Sequence, residues 1–147
     1  MLKKLTSTGD GWAPLVLRLT LGLVIFPHGA QKLLGWYGGG GFSGTLDFFG
    51  GQLGIPAFIT VLVIVGEFFG ALALIAGFLT RFCAASIGVI MLGAMFMIHW
   101  GNGFFMNWYG VPDQGQGYEY HLLAIGIAVA LMITGGGKWS VDGRMGG

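Results

Sequence analysis

Long apolar runs restrict the fold of this chain more than any other feature. Crossing ~30 Å of hydrocarbon as a helix takes ~20 largely apolar residues, because only a backbone whose hydrogen bonds are satisfied internally tolerates lipid. Segments 14–34, 55–79 and 82–100 meet that requirement. A fourth, 118–134, is shorter and carries Glu119 and His121 at its start, so length alone leaves a short tilted span and a re-entrant piece both open. The expected architecture is all-α: residues 1–147 form a single membrane domain, an integral membrane four-helix bundle with Gly-rich outer connections.

Charge argues that the fourth segment spans. Only 9% of residues are charged, against roughly 25% in an average soluble domain. With four crossings both termini share a side, which then holds Lys3, Lys4, Arg81, Lys138 and Arg144, with Arg18 close to it. The other side keeps only Lys32. The positive-inside rule therefore places both termini in the cytoplasm. Trp36, Tyr37, Trp100, Trp108, Tyr109, Tyr118 and Tyr120 fall at the outer interface, and Trp12 and Trp139 at the inner one, as an aromatic belt. No small-x-small cleavage site follows the first apolar run, so it reads as a retained span and not a signal peptide. A net charge of +1, with its cations dispersed, excludes a nucleic-acid partner. Cys83 is the sole cysteine, so any redox work needs a bound cofactor or a partner.

Most of the 30 glycines sit in the apolar runs or the short connections, where they allow close helix approach in lipid. The turn at 77–81 makes the second and third spans an antiparallel hairpin. Gly66-x-x-x-Gly70, Ala73-x-x-x-Gly77 and Ala84/Ala85 with Gly88 offer small contact faces. Connections 35–54 and 101–117 are rich in glycine and aromatics, and Ser43 is placed to cap a short interfacial helix through Phe49.

An ionisable group at membrane depth costs ~2.5–3.5 kcal/mol even on the gentlest insertion scale, so each needs a partner or a function. Glu67 lies near the middle of the second span with no neutralising neighbour in its own helix, and Arg18 is its expected partner. Two readings stand: an ion pair that pins two helices, or a proton-accepting carboxylate or ligand contact in the bundle core. Arg18, Gly22, Ile25, Gly29 and Lys32 recur at helical spacing, so that stripe faces protein. Lys32, at a helix end, is either a snorkelling interfacial residue or a ligand. His28, His99 and His121 all fall at the outer leaflet, with Glu119 and Lys32 at similar depth. Each histidine singly reads as an interfacial hydrogen-bonding residue; together they form a polar rim at the mouth of an apolar bundle, where ligand pockets form. No H-x-x-x-H or E-x-x-H pair accompanies His99, Glu119 and His121, and no metal is assigned. The Gly38–Gly41 run lacks the Gly-Lys-Ser/Thr of a phosphate loop. The methionines, Met91, Met95 and Met97 among them, read as lipid-facing or core filler.

Taken in order, Arg18, the stretch Phe26-Pro27-His28-Gly29-Ala30-Gln31-Lys32, Glu67-Phe68-Phe69-Gly70 and Gly77-Phe78-Leu79-Thr80-Arg81 form a specific series. His99-Trp100-Gly101-Asn102-Gly103-Phe104-Phe105, Gly117-Tyr118-Glu119-Tyr120 and Gly135-Gly136-Gly137-Lys138-Trp139-Ser140-Val141-Asp142 continue it. The series resembles the DoxX family of small bacterial membrane proteins, which includes the DoxD-like subunits of thiosulfate:quinone oxidoreductases. The resemblance implies a four-helix bundle in the bacterial cytoplasmic (inner) membrane and a role in redox chemistry coupled to the quinone pool.

The expectation is thus a membrane subunit of a quinone-linked oxidoreductase acting on reduced sulfur compounds. Its quinone would lie in the apolar bundle with the headgroup at the outer rim. Glu67, His28, His99 and His121 are the candidate catalytic groups, since imidazole titrates near neutral pH and a buried carboxylate relays protons. Arg18, Lys32 and Glu119 are candidate cofactor-binding groups. The competing class is a non-catalytic subunit whose small helix faces and aromatic outer loops meet other membrane or periplasmic subunits. A small transporter ranks last, because it needs a polar path across the bundle and the polar residues lie mainly at the outer rim, with Arg18 and Glu67 besides.

Overall fold

The computed structural model describes residues 6–145. Lys3 and Lys4, two of the cations used to orient the chain, lie outside the described residues. Helix α1 covers Trp12–Leu34, α2 Gly41–Gln52, α3 Ala57–Ala76, α4 Thr80–Ala94, α5 Glu119–Thr134 and α6 Val141–Met145, and no strand occurs among the described residues. Helix α4 runs on through a wide π turn at Met95–His99 and a tight 3-10 turn at Trp100–Asn102. Three helices, Trp12–Leu34, Ala57–Ala76 and Thr80–Asn102, are long and apolar enough to cross a membrane, whereas α5 has 16 residues. The observed ends fall within about three residues of those read from the sequence.

Helix α1 packs on α3 and α5, and α4 packs on the same two, closing a ring. Leu21, Ile25, Ala71, Leu74, Ile87, Ala128 and Leu131 fill its centre. The outward faces are equally apolar: Leu23, Val89, Leu123 and Ile133 are 60–71% exposed. A monomer in water does not sustain so continuous an apolar surface; a lipid-solvated one does.

Small residues set the helix spacing. A Cβ at Gly22 would lie 2.9 Å from Ala71 O, so the α1–α3 contact depends on a missing side chain, and Gly66 brings α3 against the Ile90 side chain of α4. Arg18, Gly22, Ile25 and Gly29 are buried, and that stripe of α1 faces protein. The 77–81 turn does form the α3–α4 hairpin. Gly77, at φ +70°, ends α3 with its own N–H bonded to Leu74 O and that of Phe78 to Ala73 O, which satisfies two of the last carbonyls.

Arg18 adds to this capping, sharing Leu74 O and meeting Ile75 O. Its guanidinium donates to Leu74 O (3.2 Å) and Ile75 O, and also to Gly136 O (2.9 Å) and Lys138 O (3.2 Å). This corrects the pairing of Arg18 with Glu67. Arg18 is 2% exposed, and its positive charge lies against a helix C-terminus, where the backbone dipole favours it. Asp142 supplies the matching cap for α4: Leu79 N donates to its Oδ1 (2.7 Å) and Thr80 N to its Oδ2 (2.8 Å). Arg81 donates to Ser7 O, Met132 O and Ile133 O. The 135–143 segment, the hairpin turn and the start of α1 are thereby tied into one clasp, with Trp12 and Trp139 packed edge to face at 5.1 Å on its flank.

The connection 35–54 contains α2, whose N-terminus is preceded by Gly40 with no side-chain cap. Ser43 lies inside the helix and does not cap it. Helix α2 is pinned instead by Thr45, whose hydroxyl donates to Lys32 O at 3.1 Å.

Candidate functional site

The end of the ring away from the clasp holds the polar groups. The site starts from Gly29. A Cβ there would fall 2.6 Å from Phe68 Cα and 2.7 Å from the Glu67 carbonyl carbon, so only glycine lets α1 lie against the α3 backbone at this level. One turn further along α1, Lys32 Nζ donates to Glu67 Oε2 at 2.6 Å. The Glu67 side chain is 4% exposed and that of Lys32 23%. Arg18 lies three turns back along α1 from Gly29, ~16 Å at 1.5 Å per residue. It is out of reach of Glu67, and the antiparallel register set by Gly29 gives Lys32 the pairing instead.

Around this ion pair lies a cavity of about 1000 Å³. Helix α1 contributes His28 and Lys32, α3 Glu67, the π turn of α4 His99, and α5 Tyr120 and His121. Phe48 and Phe49 of α2 and Met106 and Gln116 of the second connection close its end. Its remaining walls are mostly apolar side chains of α3 and α4, with Ile25, Leu53, Ile55 and the hydroxyl of Ser86. The π turn widens the helix just where His99 must face inward, a distortion that recurs at functional sites.

His99 Nδ1 donates to Gln116 O at 2.8 Å, which leaves Nε2 as the acceptor of the neutral ring. The His99 and His121 rings lie 4.2 Å apart, Tyr120 and His121 5.4 Å, and His28 and Tyr120 6.3 Å. Two buried polar atoms in this group, Tyr120 Oη and His121 Nδ1, have no hydrogen-bond partner. Buried polar groups are nearly always satisfied, and both of these atoms belong to residues that line the cavity.

Five of the seven residues singled out from the sequence, His28, Lys32, Glu67, His99 and His121, therefore line one cavity. Arg18 belongs to the clasp. Glu119 also stands apart: its Oε1 accepts from Met106 N (3.0 Å) and Trp108 Nε1 (2.6 Å), which fixes the second connection over α5. Among the described residues, no three His, Cys, Asp or Glu side chains are grouped to hold a metal ion. Tyr120, read from the sequence as an interfacial belt residue, instead turns its ring into the cavity. The signal lay in α5 itself, where Tyr120 stands one turn before Ala124, and Ala124 and Ala128 mark the face that meets the bundle.

The polar end of the cavity thus offers both hydrogen-bond donors and acceptors. Lys32 can only donate, an imidazole or the Tyr120 hydroxyl can donate or accept, and the charges of Lys32 and Glu67 balance each other.

Residues 13–100 match the family description DoxX. An uncharacterized protein of Haemophilus influenzae is 33% identical over 141 residues, covering 95% of this chain and 87% of the relative. "Inner membrane protein YqjF" of Escherichia coli is 30% identical over 141 residues, covering 96% and 95%. "Putative oxidoreductase CatD" of Bacillus subtilis is 27% identical over 118 residues, covering 80% and 76%. No solved structure matches the chain significantly.

Proposed function

The chain belongs to the DoxX family, and from that premise we propose that it is an inner-membrane subunit of a quinone-linked oxidoreductase with its redox site at the Lys32–Glu67 pair. The observation that carries this reading is the placement of one buried ion pair, three histidines and an orphaned tyrosine hydroxyl around a single cavity. The relatives named "Putative oxidoreductase CatD" and "Inner membrane protein YqjF" support it.

A bound quinone would supply a two-electron, two-proton acceptor, and a reduced sulfur compound is the donor class that the family resemblance implies. The chain's own residues hold and move the protons. His99, at the solvent-side connection, exchanges protons with water; His121 and Tyr120 carry them inward; His28 and Lys32 donate toward the ring oxygens. Glu67 holds Lys32 in position and balances its charge. In this reading α5 crosses the bilayer as a short fourth span. Both termini and the clasp then lie in the cytoplasm, and the cavity end faces the periplasm.

A second reading has a specific observation in its favour. Phe105, Trp108 and Tyr109 on the second connection are 69–94% exposed, more aromatic surface than an interfacial belt needs, and a periplasmic or membrane partner subunit would cover it. Mass spectrometry of gently extracted protein separates the two. A co-purifying quinone that is lost in Glu67→Gln and His121→Ala supports the redox site. A stoichiometric partner with no quinone in any preparation supports an accessory role and refutes the redox site.

A further inference from the structure

The cavity is open along one side, and the opening is long. From His99 its wall continues down α4 through Met97, Gly93 and Val89 to Phe82, ~25 Å of helix at 1.5 Å per residue. Helix α3 faces it through Ile59, Leu62 and Gly66. Gly66 and Ile90 bring the two helices together near mid-length, and on either side of that contact the wall residues lie on the bundle surface, with Leu62 61%, Phe82 58% and Val89 69% exposed. The ionisable groups all sit at one end of this groove; toward the other the one polar side chain is Ser86, whose hydroxyl donates to Phe82 O at 3.1 Å, and the rest is hydrocarbon.

We propose that this α3–α4 groove is the seat of the isoprenoid tail of the quinone, which enters sideways from the bilayer and leads its headgroup to Lys32 and His121. The inference rests on the redox reading above and adds the path and the tail subsite. Three observations select this occupant. His121 is 5% exposed, lines the cavity and has an unpartnered Nδ1, so the polar end is built for a hydrogen-bonding group. Lys32 is already neutralised by Glu67, so the groove's end offers no unpaired cation to a phospholipid phosphate, and a neutral headgroup fits better. The groove is continuous with that end and runs for most of a ~30 Å hydrocarbon layer, the length a long chain needs and a small soluble substrate does not.

Gly93 gives the test. It lines the groove, and a Cβ built on it meets nothing within 4 Å, so a large side chain can be added there without disturbing the packing. Gly126 on α5 has equally open space and lies outside the groove, which makes Gly126→Phe the matched control. Protein in phosphatidylcholine nanodiscs is titrated with a long-tailed ubiquinone and with its tail-less headgroup analogue, and binding is read from tryptophan fluorescence. Dividing the affinities of variant and wild type for the same ligand cancels membrane partition. Gly93→Phe is expected to weaken the long-tailed form about 10-fold, the equivalent of roughly two methylene groups of lost apolar burial. It should leave the analogue unchanged, and Gly126→Phe should alter neither. Equal weakening of both ligands, or no change in either, overturns the tail groove while the redox site stands. Wild type that binds neither ligand overturns both. A phospholipid chain that stays in the groove while quinone binding is insensitive to Gly93→Phe also overturns it.

Discussion

Breaking the Lys32–Glu67 pair from either side should have unequal costs. Replacing Lys32 by Met strands a carboxylate whose side chain is 4% exposed. Removing one partner of a buried pair typically costs ~3–5 kcal/mol, and Lys32→Met should fall in that range. Glu67→Gln strands a lysine that is 23% exposed and stands at the end of α1. Its stem can carry the ammonium toward the interface, so a cost of about half that size, ~2 kcal/mol, is expected. Replacing both, as Lys32→Met with Glu67→Gln, leaves no uncompensated charge and should cost less than Lys32→Met alone. The resulting coupling is roughly 3 kcal/mol, the upper end of the range for residues in contact. Reversible unfolding in mixed micelles, followed by tryptophan fluorescence, gives the four free energies of the cycle. Additive effects, or single substitutions both within ~0.5 kcal/mol of wild type, the level of an ordinary surface change, would refute the assignment of a buried, mutually dependent pair.

Asp142→Ala removes the acceptor for Leu79 N and Thr80 N, and a loss of ~2 kcal/mol is expected from the same unfolding assay, with hydrogen exchange accelerated first at the start of α4. Arg18→Lys keeps the charge but not the planar fork that serves carbonyls of Leu74, Ile75, Gly136 and Lys138; it should destabilise by ~2 kcal/mol or more, and a loss below ~0.5 kcal/mol would remove the clasp from the stability account. Gly29→Ala forces a methyl into the α3 backbone beside Glu67 and Phe68, so ~1–3 kcal/mol should be lost and the Lys32–Glu67 coupling measured above should shrink.

The helical class, the three long spans and the protein-facing stripe of α1 were legible because lipid imposes few solutions on an apolar run, and because small residues at helical spacing mark a contact face. Five cavity residues were legible for a related reason: ionisable groups are rare at this depth, so each one stands out. Partner choice was not. Arg18 and Lys32 lie on the same stripe of α1, and which of them meets Glu67 depends on how far α1 slides along α3, a register fixed by the Gly29 contact and invisible in the periodicity. The role of Asp142 was hidden for a similar reason, since it caps a helix that begins 62 residues earlier in the chain. Tyr120 was misread because aromatic residues near a helix start serve an interface or a pocket equally well, and only the rotation of α5 decides between them.

The two ends of the ring are fastened very differently. At one, Arg18, Arg81 and Asp142 staple Ser7, the start of α1 and the 135–143 segment to the α3–α4 turn through buried or charge-assisted hydrogen bonds. At the other, Lys32 ties α1 to α3 through Glu67, but among the described residues no side-chain hydrogen bond or ion pair joins α3 to α4. Motion in such a body is that of a clothes-peg: the stapled end acts as the pivot, and small angular changes there become the largest displacements at the histidine end. The stiffness of a region remote from the chemistry thus sets how widely the jaws open, and a loosened pivot should speed the exchange of a bound molecule before it weakens the site that holds it.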